Sequence, residues 1–137
     1  MTLALDTSAL LRRYAADPDT QLVLDTMASD RAWAASALAH AETHLALHRM
    51  AGESTSQAEL WRRFGADWSL FWVVPVDDRC LARAVELGAE FALTTTDAVH
   101  LAAADRLGRP VTYLTFDSRQ IPAALALGLD VVSPSGD

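Results

Sequence analysis

Lysine is absent from this chain, whose 11 cationic residues are all arginine. That gap excludes mechanisms built on an ammonium group, among them the P-loop lysine, Schiff-base chemistry and Ser-Lys dyads. Cysteine occurs once, at Cys80, so no internal disulfide can form and a reducing compartment is expected. Long hydrophobic runs are missing too: nothing approaches the ~20 apolar residues of a membrane span. The opening MTLALDTSALLRRYAADP has no basic leader, and Asp6 breaks its apolar stretch, so it does not read as a secretory signal. The expectation is a cytoplasmic protein without membrane contact. Positive charge is scarce as well. A formal net charge of -7 excludes nucleic-acid binding through general basicity, although clustered arginines still grip phosphates bidentately.

What is present is enough for a core. The chain has 137 residues, 51% of them hydrophobic and 21% charged, which suits a single domain over 1–137 with no need of a disulfide or structural metal. Short apolar runs alternate with segments of helical period. Residues 2–5 read as a strand, followed by a helix through Leu10, Leu11 and Tyr14 that Asp17-Pro18-Asp19 interrupts. A second helix carries Leu22, Val23, Leu24 and Met27; Trp33-Ala34-Ala35 forms a weak strand. Ser36 caps a long helix to about Met50, with Gly52 as its stop. Ser54 to about Phe71 reads as a helix, and 72–76 as a third strand. Helices from Asp77 or Asp78 to Gly88 and from about Thr96 to Leu107 precede the clearest strand, Val111–Leu114. A short helix after Asp117 runs to Leu127, and Val131-Val132 closes the pattern. Such alternation implies a mostly parallel sheet with helices on both faces.

In open α/β sheets, ligands bind beyond the carboxyl ends of the strands. Asp6 ends the first strand and Asp117 follows the fourth, so parallel strands bring both to one edge. Ser36 opens its helix at that edge, with Glu42 about 9 Å further along it. Asp97 stands at the start of another helix, in TTTDAVHLAAA. Two carboxylates ~4 Å apart repel by roughly 4 kcal/mol at an effective dielectric of 20. Such a group either retains protons or attracts a divalent cation, and oxygen-only donors suit Mg²⁺ or Mn²⁺ rather than zinc.

The motifs add a family likeness. LDTSALLRRY (5–14) resembles the opening motif of PIN-domain ribonucleases, and SALAHAETHLAL (36–47) their second, with Glu42 in the acidic position. TTDAVHLAAA (95–104) resembles the third, with Asp97 as its acid, and LTFDSR (114–119) the fourth, with Thr115 and Asp117. The ending ALALGLDVVSP is similar to the VapC-type toxins of bacterial type II toxin–antitoxin systems. The resemblance implies a three-layer α/β/α sandwich and endonucleolytic cleavage of RNA that depends on Mg²⁺ or Mn²⁺. It implies Asp6 and Asp97 as principal metal ligands, Glu42 and Asp117 completing the pocket, and Thr7, Ser8 and Thr115 positioning ligand or water. It also implies a cognate antitoxin that blocks the pocket, a homodimer and a larger toxin–antitoxin assembly.

Plainer readings stand beside these. Asp6 and Asp97 are good helix caps, and Asp117 is a good turn residue. His40, His44 and His48 recur every four residues. That spacing suits zinc, but HAETH lacks the HExxH order, so a polar helix face is expected. His100 reads as a structural histidine near the pocket, and Cys80 as packing. Trp61, Phe64, Trp68 and Phe71 form an aromatic stripe read as core, with a partner face as the alternative. Arg12-Arg13 and Arg62-Arg63 are candidate phosphate contacts. Two other function classes remain. One is an inert interaction module of the same fold; the other is an aspartate-based phosphatase, which Asp6-Thr7-Ser8 matches poorly because a second Asp is needed where Ser8 stands.

Overall fold

The computed structural model describes residues 1–50 and 54–134. Five strands, β1 (Thr2–Leu5), β2 (Ala32–Ser36), β3 (Trp72–Val74), β4 (Val111–Leu114) and β5 (Asp130–Val132), form one sheet in the order β3-β2-β1-β4-β5. Every pairing is parallel. The helices are α1 (Thr7–Tyr14), α2 (Thr20–Ser29), α3 (Ala37–Met50), α4 (Ser54–Trp68), α5 (Asp78–Phe91), α6 (Thr95–Asp105) and α7 (Ile121–Ala126), with a 3-10 turn at Ser118–Gln120.

Alternation along β1 divides the layers, because successive side chains point to opposite faces. Leu3 and Leu5 enter a core with Ala9, Leu10, Val23, Met27, Ala35 and Leu114, contributed largely by α1 and α2. Ala4 faces the other core, where α5, α6 and α7 supply Cys80, Leu87, Leu101 and Ala123 against Val111 and Tyr113. The sheet is therefore sandwiched between helical layers, as the three-layer expectation requires. Cys80 is fully buried, and burial raises its thiol pKa, in keeping with a packing role.

Local boundaries differ from expectation in places where tertiary contacts decide. α5 runs through Gly88 to Phe91, and its left-handed cap is Ala92 at φ 54° rather than a glycine. Gly88 lies against α6, its missing Cβ position 3.6 Å from the Ala98 Cβ, so helix packing outweighs the glycine's stop signal. β3 ends at Val74 and α4 at Trp68, each shorter than the sequence pattern suggests. The Gly52 stop lies outside the described residues.

The three histidines of α3 are neither a zinc comb nor a plain polar face. His40 packs on Phe64 and Trp68, with ring centroids 5.3 and 5.1 Å away. His44 and His48 meet Trp61 at 4.7 and 5.8 Å. The aromatic stripe of α4 is thus half core and half seam: Phe64 is buried with Tyr14 and Leu47, whereas Trp61 and Trp68 are partly exposed under the histidines.

Candidate functional site

Parallel strands bring the ends of β1 and β4 to one edge, where the first turns of α1 and α6 also lie. Asp6 follows β1 and is 2% exposed. Its Oδ1 accepts hydrogen bonds from the Ala9 amide at 3.0 Å, capping α1, and from the Ser8 hydroxyl at 2.7 Å. Its Oδ2 accepts from the Thr115 hydroxyl at 2.8 Å and from Gln120 Nε2 at 3.0 Å. Four donors on one buried carboxylate go well beyond a cap. Ser8 and Thr115 are themselves held, because their hydroxyls accept the amides of Phe116 and Asp117 at 3.0 and 3.1 Å.

Asp97 lies in the first turn of α6, whose cap is Thr94. Its Oδ1 accepts from the same Gln120 Nε2 at 3.0 Å, so one amide joins Asp6 and Asp97. The carboxyl of Asp117, which caps the 3-10 turn, lies beside that of Asp97. Burial, reinforced by the Asp117 carboxyl, raises the Asp97 pKa above the ordinary range. Asp117 moves the other way, because Arg119 pairs with both of its oxygens at 3.1 Å.

Glu42 reaches the site by a different route. Its Oε1 accepts from the Thr7 hydroxyl at 2.6 Å and contacts His100 Nε2 at 2.6 Å. A carboxylate only accepts, so Nε2 carries the proton, and Nδ1 faces the Ser36 hydroxyl at 2.9 Å. Burial pushes the Glu42 pKa up, but the bonds from His100 and Thr7 outweigh it and hold the group ionised.

Asp6 and Asp97 are thus joined through Gln120, Asp117 lies beside Asp97, and Glu42 is held on the Thr7–His100 arm. Among the described residues, no three carboxylate, imidazole or thiol groups stand close enough to clasp one ion without adjustment. Ser36, His100, Gln120 and Tyr113, whose hydroxyl donates to Gln120 Oε1 at 2.6 Å, complete the arrangement. Sequence reasoning placed His100 near the pocket and Ser36 at the edge but overlooked Gln120 and Tyr113. Of the arginines, Arg12 stacks over Phe116 at 4.3 Å and pairs with Asp17 at 3.4 Å, while Arg13 is bound to Asp67 and Arg62 to Glu59.

Chemically, the donors are oxygens, and crowding by Asp117 makes the ionised form of Asp97 costly. Such a set fits a hard divalent cation. A family model described as PIN domain matches residues 3–124. The chain is 38% identical over 132 residues to Ribonuclease VapC46 of Mycobacterium tuberculosis, covering 96% of each. Its fold is similar to FitAcB from Neisseria gonorrhoeae (TM-score 0.75, 19% identity, 96% of this chain and 97% of that one). It is similar too to a toxin–antitoxin complex from Klebsiella pneumoniae (TM-score 0.72, 19% identity, 98% and 99%).

Proposed function

The chain belongs to the PIN-domain family, in its VapC ribonuclease branch, and from that membership we propose a divalent-metal-dependent endoribonuclease that acts as the toxin of a toxin–antitoxin pair. The observation carrying this reading is the bridging of Asp6 and Asp97 by one buried amide, with the Asp117 carboxyl crowding Asp97. Asp6, Asp97, Asp117 and Glu42 would hold Mg²⁺ or Mn²⁺. When bound, such an ion supplies a water of lowered pKa and neutralises charge developing on a phosphodiester.

The chain's own residues prepare that chemistry. Thr115 and Ser8 fix both oxygens of Asp6, so the acid presents one orientation. His100 and Thr7 do the same for Glu42 and keep it ionised. Arg12 and the exposed Arg119 bring positive charge to the rim of an acidic protein, where a polyanion must approach. We also propose a small antitoxin protein as the partner that covers this edge, together with a homodimer and a larger assembly. The single-domain reading of 1–137 belongs to the same proposal.

The test is RNA cleavage by purified, antitoxin-free protein in Mg²⁺ or Mn²⁺. Wild-type protein is expected to cleave, and chelation to stop it. Asp97→Asn should reduce the rate at least roughly a hundredfold, the scale of removing a group that stabilises transition-state charge. Cleavage that survives chelation, or that is equal in Asp97→Asn, overturns the reading.

A further inference from the structure

Gln120 is 1% exposed and makes three hydrogen bonds with its side-chain amide. Nε2 donates to Asp6 Oδ2 and to Asp97 Oδ1, each at 3.0 Å, which uses both of its N–H groups. Oε1 accepts from the Tyr113 hydroxyl at 2.6 Å. Tyr113 is itself buried in the sheet at 1% exposure. Flipping the amide would turn its oxygen toward two carboxylates, so Tyr113 and the acids together permit one orientation.

Asp6 decides what that orientation means. A carboxylate has about four lone-pair sites, and Asp6 fills four with Ser8, Ala9, Thr115 and Gln120. Three of those donors are locked in place. The Ala9 amide belongs to α1, and the Ser8 and Thr115 hydroxyls are pinned by backbone amides. Gln120 is the exception, reaching in on a side chain with three rotatable torsions. It is also the donor that bridges to a second acid. Any cation bound to both Asp6 and Asp97 needs an oxygen lone pair from each, and the amide occupies one on each acid.

Resting on the metal reading above, we propose that Gln120 is a positioning residue that stands in for the cation. Its amide bridges Asp6 and Asp97 in the metal-free protein and gives way when the ion binds. It thereby sets metal affinity against metal-free stability. A merely structural glutamine predicts the opposite sign: its loss should loosen the site and weaken binding.

The experiment is Mn²⁺ titration by calorimetry, with melting curves in EDTA and in Mn²⁺, on the full chain. Gln120→Met, close in volume and without donors, should bind Mn²⁺ roughly tenfold more tightly, since bonds to charged groups no longer compete. Its melting temperature in EDTA should fall, so that Mn²⁺ produces a larger rise than in wild type. Tyr113→Phe keeps the ring and releases the amide from its anchor, and should shift affinity in the same direction by roughly two- to threefold. It carries the test alone if Gln120→Met does not fold. Wild-type binding with unchanged or weaker affinity in the folded variants overturns the inference and leaves the metal reading intact. Absence of Mn²⁺ binding at millimolar concentration in wild type and variants alike overturns the metal reading and this inference with it.

Discussion

Asp6 and Asp97 look equivalent in sequence, each an acid near a helix start, yet their surroundings assign them opposite energetics. Asp6 is buried among four donors, and an amide in its place would turn an N–H₂ toward two of them. Asp6→Asn should therefore destabilise the metal-free protein by roughly 2 kcal/mol, the scale of losing bonds to a buried charged group. Asp97 lies against Asp117, and an amide there donates where a carboxylate repels. Asp97→Asn should raise the metal-free melting temperature by about 2–4 °C. Neutralisation is thus expected to stabilise at Asp97 and to destabilise at Asp6. Equal shifts of one sign in differential scanning calorimetry would contradict this division. The pH dependence follows. Because the Asp97 pKa is raised, the unfolded chain ionises first as pH climbs past 3.8, and stability falls until the folded value is reached. Asp117 and Glu42 have depressed values, so their contributions are lost as pH falls below 3.8 and 4.5 respectively. Denaturant melts across pH 3–7 should show the Asp97 decline in wild type and not in Asp97→Asn.

At the scale of elements, α5 illustrates how packing overrides a local signal. Gly88 carries the usual mark of a helix end, but α5 continues along α6 for another turn before Ala92 adopts the left-handed conformation. A Cβ at Gly88 would meet its neighbours at ordinary van der Waals distance. Gly88→Ala should accordingly stabilise by about 0.5–1 kcal/mol, and Ala92→Gly by about 1 kcal/mol, as urea midpoints would report. Destabilisation by both would mean that the helix end is set elsewhere. The α3 histidines make the same point about pairing. Their four-residue period is visible in the chain, but whether it faces metal, water or an aromatic stripe depends on α4 lying alongside.

For the whole molecule, two helical layers on a parallel sheet form cores that do not draw on the acidic edge. Chelation should leave the far-ultraviolet circular dichroism unchanged. Added Mn²⁺ should stabilise by mass action, about 2.7 kcal/mol at a hundredfold excess over the dissociation constant, and much less in Asp97→Asn. Loss of secondary structure in EDTA would instead make the metal structural. No described helix is long and apolar enough to cross a membrane.

Much of this was legible in the chain, for a physical reason. Strand and helix positions follow from short-range periodicity, capping and proline, and parallel topology then sends Asp6 and Asp117 to one edge. The acids announce themselves because a carboxylate at such places needs a reason. Gln120 does not, since glutamine on a short turn looks like any surface residue, and its partners lie 114, 23 and 7 residues away. His100 likewise meets Glu42 across 58 residues. Composition and pattern alone determined the layered architecture and marked the acids as candidates for chemistry. Only the folded chain decided which acid is saturated, which has its pKa raised and which amide lies between them, because hydrogen bonds of a few ångströms depend on where distant segments cross.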